Sequence, residues 1–249
     1  MGRKSKVRRL SSFVLLIGLL ISLALNYVLY LRDLQDYAGQ QAVRLNPYTL
    51  DYFDDEADKP YAHPLVVFYG DSRAAQWPAP ILPTTPTLNF ADRGIGNQTT
   101  EQVLGRFDKH LRPLQPDIVV LQVGINDLKS IPVLPGQRDK IVAQCKANLR
   151  ELVQRSRTLG ARVILTTIIP PAAVPLERRL IWSADVSVAI NEVNAFVRSL
   201  AGEGIVILDT GAALADERGI TRSEFSQIFL HLNAQGYAAL NEALVKLLK

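Results

Sequence analysis

From Leu65 to the C-terminus, short apolar runs alternate with stretches of helical period, a pattern that few folds accept. Strands are expected over 65–69, 87–90, 118–123, 162–168 and 205–209. Three of these runs are almost continuous in Val, Ile and Leu, as strands covered on both faces are. Helices are expected near 99–111, 139–159, 184–201 and 234–248. In the third, Val186, Ala189, Ile190, Val193, Phe196, Val197 and Leu200 form one apolar stripe. Thr99 followed by Gln102 has the form of a capping box and marks where the first helix begins. The alternation predicts a doubly wound α/β domain, whose sites form beyond the carboxyl ends of its strands.

A different signal precedes the domain. Arg3, Lys4, Lys6, Arg8 and Arg9 lead into an uncharged run over 10–31. As a helix that run spans about 33 Å, enough to cross a bilayer. A cleaved signal peptide is the competing reading. It would end at small residues, whereas this run continues through Asn26-Tyr27-Val28-Leu29-Tyr30 without an Ala-x-Ala pattern, which favours an uncleaved signal-anchor. Positive charge ahead of the span predicts a cytoplasmic N-terminus over 1–9 and an extracytoplasmic domain, periplasmic or cell-surface, with Tyr27 and Tyr30 near the outer interface. Residues 32–63 are expected to form a stalk, partly helical near the membrane, that becomes acidic at Asp51, Asp54, Asp55, Glu56 and Asp58 and is punctuated by Pro60 and Pro64. The domain would then occupy 64–249. The basic cluster supplies most of the formal net charge of +4, so the outer part is near neutral and nucleic acid is not an expected partner. A lone Cys145 excludes an intrachain disulfide and sits with Ile141, Leu149 and Leu152 as a packed thiol.

Four short polar segments fall at strand ends or beside helix starts. Gly70-Asp71-Ser72-Arg73 places a hydroxyl after the first strand, where a helix N-terminus would aim backbone N–H groups at a developing negative charge. Asp71 and Ser72 acting only as helix caps is the plainer alternative. Gly94-Ile95-Gly96-Asn97 resembles part of a dinucleotide fingerprint. Thr99 replaces its third glycine, the turn follows the second strand, and the next strand ends without an acidic residue, so no nucleotide cofactor is expected. In Gly124-Ile125-Asn126-Asp127 the carboxamide can donate to an oxyanion, or the segment is an ordinary turn. His231-Leu232-Asn233 offers an imidazole and a cap for the last helix, or simply a surface histidine. His63, His110 and His231 lack metal-ligand spacing, so no metal is expected.

In this order the four segments resemble the SGNH (GDSL-like) hydrolase family from about Leu65 to the C-terminus. The resemblance implies a flavodoxin-like three-layer α/β/α domain with a five-stranded parallel sheet, Ser72 as nucleophile and His231 as its base. It implies an oxyanion hole shared by the Ser72 backbone N–H, the backbone N–H of the second segment and the Asn126 side chain. Asp71, Gly96, Gly124 and Asp127 would support these groups, and no cofactor or metal is required. Esters or thioesters are the implied substrates, lipids and acylated glycans among them. The family's second-segment glycine falls at Asn97, which tolerates a left-handed backbone. Its aspartate three residues before the histidine is Ile228 here. That aspartate orients the imidazole and stabilises its charged form, and Glu224 is a possible substitute. The expectation is a membrane-anchored extracytoplasmic serine esterase working through a Ser72–His231 dyad, with reduced activity. Acyl transfer to an envelope polysaccharide and a catalytically silent binding module are the alternatives. Arg73 is expected to be a solvated surface charge, and the loop over 170–182, with Arg178 and Arg179, to face the substrate.

Overall fold

The structure, a computed structural model, describes residues 2–56, 59–82, 88–179 and 182–248, with side chains from Ser12 onward. The chain divides into Met1–Thr49 and Leu50–Lys249. The first unit carries one helix, α1 (Gly2–Leu45). Its stretch Ser12–Leu45 is long and apolar enough to cross a membrane, with mean hydropathy 2.3 over its most apolar window. α1 continues without a break into the first part of the expected stalk.

The second unit contains β1 (Leu65–Gly70), α2 (Ser72–Ala75), β2 (Asn89–Gly94), α3 (Thr100–Gly105), α4 (Phe107–His110), β3 (Ile118–Gln122), α5 (Ile125–Leu128) and α6 (Arg138–Thr158). It continues through β4 (Arg162–Thr166), α7 (Ala184–Ser199), β5 (Ile205–Leu208), α8 (Thr210–Leu214), a hairpin of β6 (Ser226–Ile228) and β7 (His231–Leu232), and α9 (Ala234–Leu247). The main sheet has the order β2-β1-β3-β4-β5 and is parallel throughout. This is the flavodoxin-like order, whose topological switch lies between β1 and β3.

Successive side chains of a strand point to opposite faces, and β1 and β3 supply apolar groups to both. Leu65, Val67, Tyr69, Val119 and Leu121 pack with Val103, Phe107, Leu149 and Val193. Val66, Phe68, Ile118, Val120 and Ile164 pack with Trp77, Leu240 and Leu244. These two cores, one on each face, make the domain three-layered. Burying each such aliphatic side chain contributes about 1.5–3 kcal/mol.

Beyond shifts of one or two residues at element ends, three expected segments differ. β2 runs from Asn89 to Gly94 rather than over 87–90, and Thr87 lies outside the described residues. Being at the sheet's edge, β2 accommodates Asp92 and Arg93, which hid it from a search for apolar runs. The helix expected over 99–111 is split at Arg106, whose guanidinium turns inward to the carbonyl of Gly70. The spacer expected over 32–63 is also too long, since its second half belongs to the domain. His110 Nε2 donates to Leu50 O at 2.9 Å, and the Phe53 ring stands edge-on to His110 at 5.1 Å. Arg93 donates to Glu56 at 3.1 Å and to Tyr61 Oη at 3.0 Å while stacking on Phe53 at 4.5 Å. These contacts come from isolated aromatic and charged groups, which leave no periodic signature in the sequence.

Candidate active site

β1 ends against β3 so tightly that a Cβ on Gly70 would stand 1.8 Å from Gln122 O. Only glycine fits there. The chain then turns: Asp71 N donates to Gln122 O at 3.1 Å, and Asp71 Oδ1 accepts from Arg73 N at 2.9 Å as the N-cap of α2. That cap makes Ser72 the first residue of the helix. On the other side, Ile228 pairs with His231 across the β6–β7 hairpin, and Asn233 caps α9 through Gly236 N at 3.0 Å. Asn233 Nδ2 also donates to Glu224 O at 2.7 Å, closing the hairpin onto the helix start. The result is that Ser72 Oγ lies 3.0 Å from His231 Nε2, across a sequence separation of 159 residues.

His231 Nδ1 is buried without a hydrogen-bond partner among the described residues. Ile228 is 58% exposed, and the Glu224 carboxylate lies 3.7 Å from Arg222 Nε in a surface ion pair. Partial burial, and then the cations of Arg73 and Lys129, hold the His231 pKa below the ordinary 6.5.

The second and third segments are tied together. Asn97 takes a left-handed backbone, φ +65°, where the family's glycine was expected. Gly96 has no positive φ, and a Cβ there would meet nothing within 4 Å, so no backbone need for glycine explains its expected supporting role. Gly124, at φ +127°, does carry such a need as it turns β3 into α5. Asn126 Nδ2 donates to Gln98 O at 2.9 Å, which leaves its second N–H uncommitted. Asp127 accepts from Thr100 N at 2.9 Å and from Thr100 Oγ1 at 2.5 Å, fastening α5 to the start of α3. Burial pushes the pKa of Asp71 and of Asp127 up to about 6.

Two arginines complete the frame. Arg73 is 1% exposed, not the solvated charge expected. Its Nε donates to Leu230 O at 2.8 Å and its Nη1 to Ile169 O at 2.7 Å, while its own carbonyl accepts from Tyr237 Oη at 3.1 Å. The Ser72 turn, the His231 loop and the β4 exit thus share one guanidinium. Arg106, also buried, donates to Gly70 O at 2.8 Å and to Gln98 Oε1 at 2.5 Å and stacks on Tyr69 at 4.5 Å. A sequence signal existed for Arg106, which falls on the Val103–Phe107 face of its helix. None existed for Arg73.

In the loop over 170–182, Leu176–Arg178 forms a single turn with Arg178 and Arg179 exposed; Leu180 and Ile181 lie outside the described residues. Cys145 is buried and its thiol pKa raised by that burial, as a packed thiol requires. Among the described residues no group of three or more His, Cys, Asp and Glu is placed to hold a metal.

A flavodoxin-like parallel sheet with a serine and a histidine meeting beyond its carboxyl edge defines a hydrolase-type α/β domain. The chain belongs to the GDSL-like Lipase/Acylhydrolase family, whose profile matches residues 51–239. That match begins one residue after the second unit does. No curated protein matches the sequence. Among solved structures it is similar to a Streptococcus pneumonia protein described provisionally as a platelet activating factor. That pair has 19% identity and a TM-score of 0.69, with 88% of this chain and 99% of that one covered. It is also similar to a GDSL-like lipase from Bacteroides thetaiotaomicron, at 18% identity and a TM-score of 0.62, with 80% and 97% covered. An acetylxylan esterase from Geobacillus stearothermophilus aligns at 19% identity and a TM-score of 0.58, with 74% and 94% covered.

Proposed function

We propose that the protein is a membrane-anchored, extracytoplasmic ester hydrolase that works through an acyl-enzyme on Ser72. The observation that carries this reading is the 3.0 Å approach of Ser72 Oγ to His231 Nε2. His231 takes the serine proton at Nε2 as Oγ attacks the acyl carbon, then delivers it to the departing alcohol. Water repeats the sequence to release the acid. The Ser72 and Asn97 backbone N–H groups and the free N–H of Asn126 hold the tetrahedral oxyanion; each such donor is typically worth about 10²–10³ in rate. Asp71, Gly124 and Asp127 act by shaping the two turns that present these groups. Carboxylic esters with acyl or acetyl groups, on lipids or glycans, are the proposed substrates; the anchor would hold the domain beside the membrane.

A His231 Nδ1 without a partner among the described residues supports a dyad rather than a triad. In serine proteases, spoiling the aspartate partner costs about 10⁴ in turnover, so hydrolysis is expected to be slow. The same observation favours a second reading, a catalytically silent binding module. The full chain in detergent should hydrolyse 4-nitrophenyl acetate, and Ser72→Ala should abolish that rate. Equal rates for the two proteins would remove Ser72 as nucleophile.

A further inference from the structure

We propose that Lys129 is an anion-recognition residue, and that the ester this site takes carries a carboxylate or phosphate close to its scissile acyl group. The proposal rests on the ester-hydrolase reading and narrows its substrate class.

Lys129 directly follows α5, three residues after Asn126. Its Nζ donates to Asn97 Oδ1 at 2.5 Å, so the ammonium sits on the turn proposed to stabilise the oxyanion. The next residue of that turn, Gln98, holds the Asn126 carboxamide. One ammonium hydrogen is thus committed and two remain. Lys146, the other half-buried lysine, pairs with a carboxylate at 2.7 Å, whereas the exposed Lys140 and Lys246 pair with none among the described residues. Lys129 is half-buried and has no such partner among the described residues. A partly desolvated ammonium without a carboxylate is costly to keep. An arriving anion would remove that cost.

The surroundings are cationic. The charges that act on Lys129 are Asp71, which attracts it from a fully buried position, and Arg73 and Arg178, which repel it. The exposed turn that bears Arg178 also carries Arg179 and one acid, Glu177. Neither Arg178 nor Arg179 forms a side-chain ion pair among the described residues. A mouth with this surplus draws anions in, and a lysine serves as a point charge for either carboxylate or phosphate. The anion has two possible sources, a soluble acyl ester or a lipid headgroup.

The test uses the full chain in a neutral detergent, with 4-nitrophenyl acetate against 4-nitrophenyl hemisuccinate, and a monoacylglycerol against lysophosphatidylglycerol. Lys129→Gln keeps a donor for Asn97 Oδ1 and removes the charge. The wild-type preference for the anionic member, as a ratio of kcat/KM, should fall about tenfold in the variant, and the wild-type preference should weaken as salt is raised. Loss in the soluble pair would assign a free anionic ester; loss only in the lipid pair would assign a headgroup. An equal fall on both members of each pair, or no fall, would overturn the proposal and leave Lys129 as a support for the Asn97 turn. Absence of hydrolysis with all four esters would remove the ester-hydrolase reading itself, and this proposal with it.

Discussion

His231 has Nε2 on Ser72 Oγ and, among the described residues, no partner on Nδ1, and this asymmetry sets what single residues should do. A general base works only when neutral. Burial and the nearby Arg73 and Lys129 cations favour the neutral imidazole, so the acidic limb of kcat/KM should fall below pH 6.5. Asp71, raised to about 6, titrates in the same region, so Asp71→Asn is the control that separates the two limbs. Ile228→Asp would offer Nδ1 a carboxylate. The limb should then move to higher pH and kcat rise roughly tenfold or more, as a pH–rate profile would show. Arg73→Met should leave two carbonyls, of Leu230 and Ile169, without their donor. A cost of about 1–3 kcal/mol for each should appear in a urea titration, with kcat falling more than KM rises. Ser72 and His231, which the structure brings within 3.0 Å, stand out in the sequence because each lies in a short polar motif. Arg73 does not, because its burial is set by carbonyls contributed from positions far along the chain.

At the scale of elements, sequence and structure agree best at the strand starts Leu65, Ile118, Arg162 and Ile205. β1 and β3 are apolar on both faces and announce themselves, while β2, an edge strand with Asp92 and Arg93 inside it, does not. The break between α3 and α4 was equally hidden, since Arg106 reads as a helix former until its bond to Gly70 O is seen. Gly70 is the tightest point of the frame. Gly70→Ala would bring a methyl to 1.8 Å from Gln122 O and must separate β1 from β3. A loss of at least about 3 kcal/mol in urea denaturation is expected, with the dyad displaced. Wild-type stability in that variant would mean the two strands are looser than described.

For the whole molecule, the positions of β1 and β3 and the apolar span were open to sequence reading because they rest on runs of one residue character, whereas the sheet's flavodoxin-like form followed only from the family resemblance. The start of the domain was not open to such reading, since Phe53, Glu56 and Tyr61 dock through single contacts. If α1 is an uncleaved anchor, the full chain should stay in the membrane pellet after alkaline carbonate washing, and a C-terminal alkaline phosphatase fusion should be active. Release into the supernatant would contradict the anchor. The central claim is that folding brings a hydroxyl and an imidazole 159 residues apart into a working pair. A fluorophosphonate probe, followed by peptide mass mapping, reads this directly. The account expects one adduct, on Ser72, formed markedly more slowly in His231→Ala and absent in Ser72→Ala. No adduct on Ser72, or one whose rate ignores His231, would contradict it.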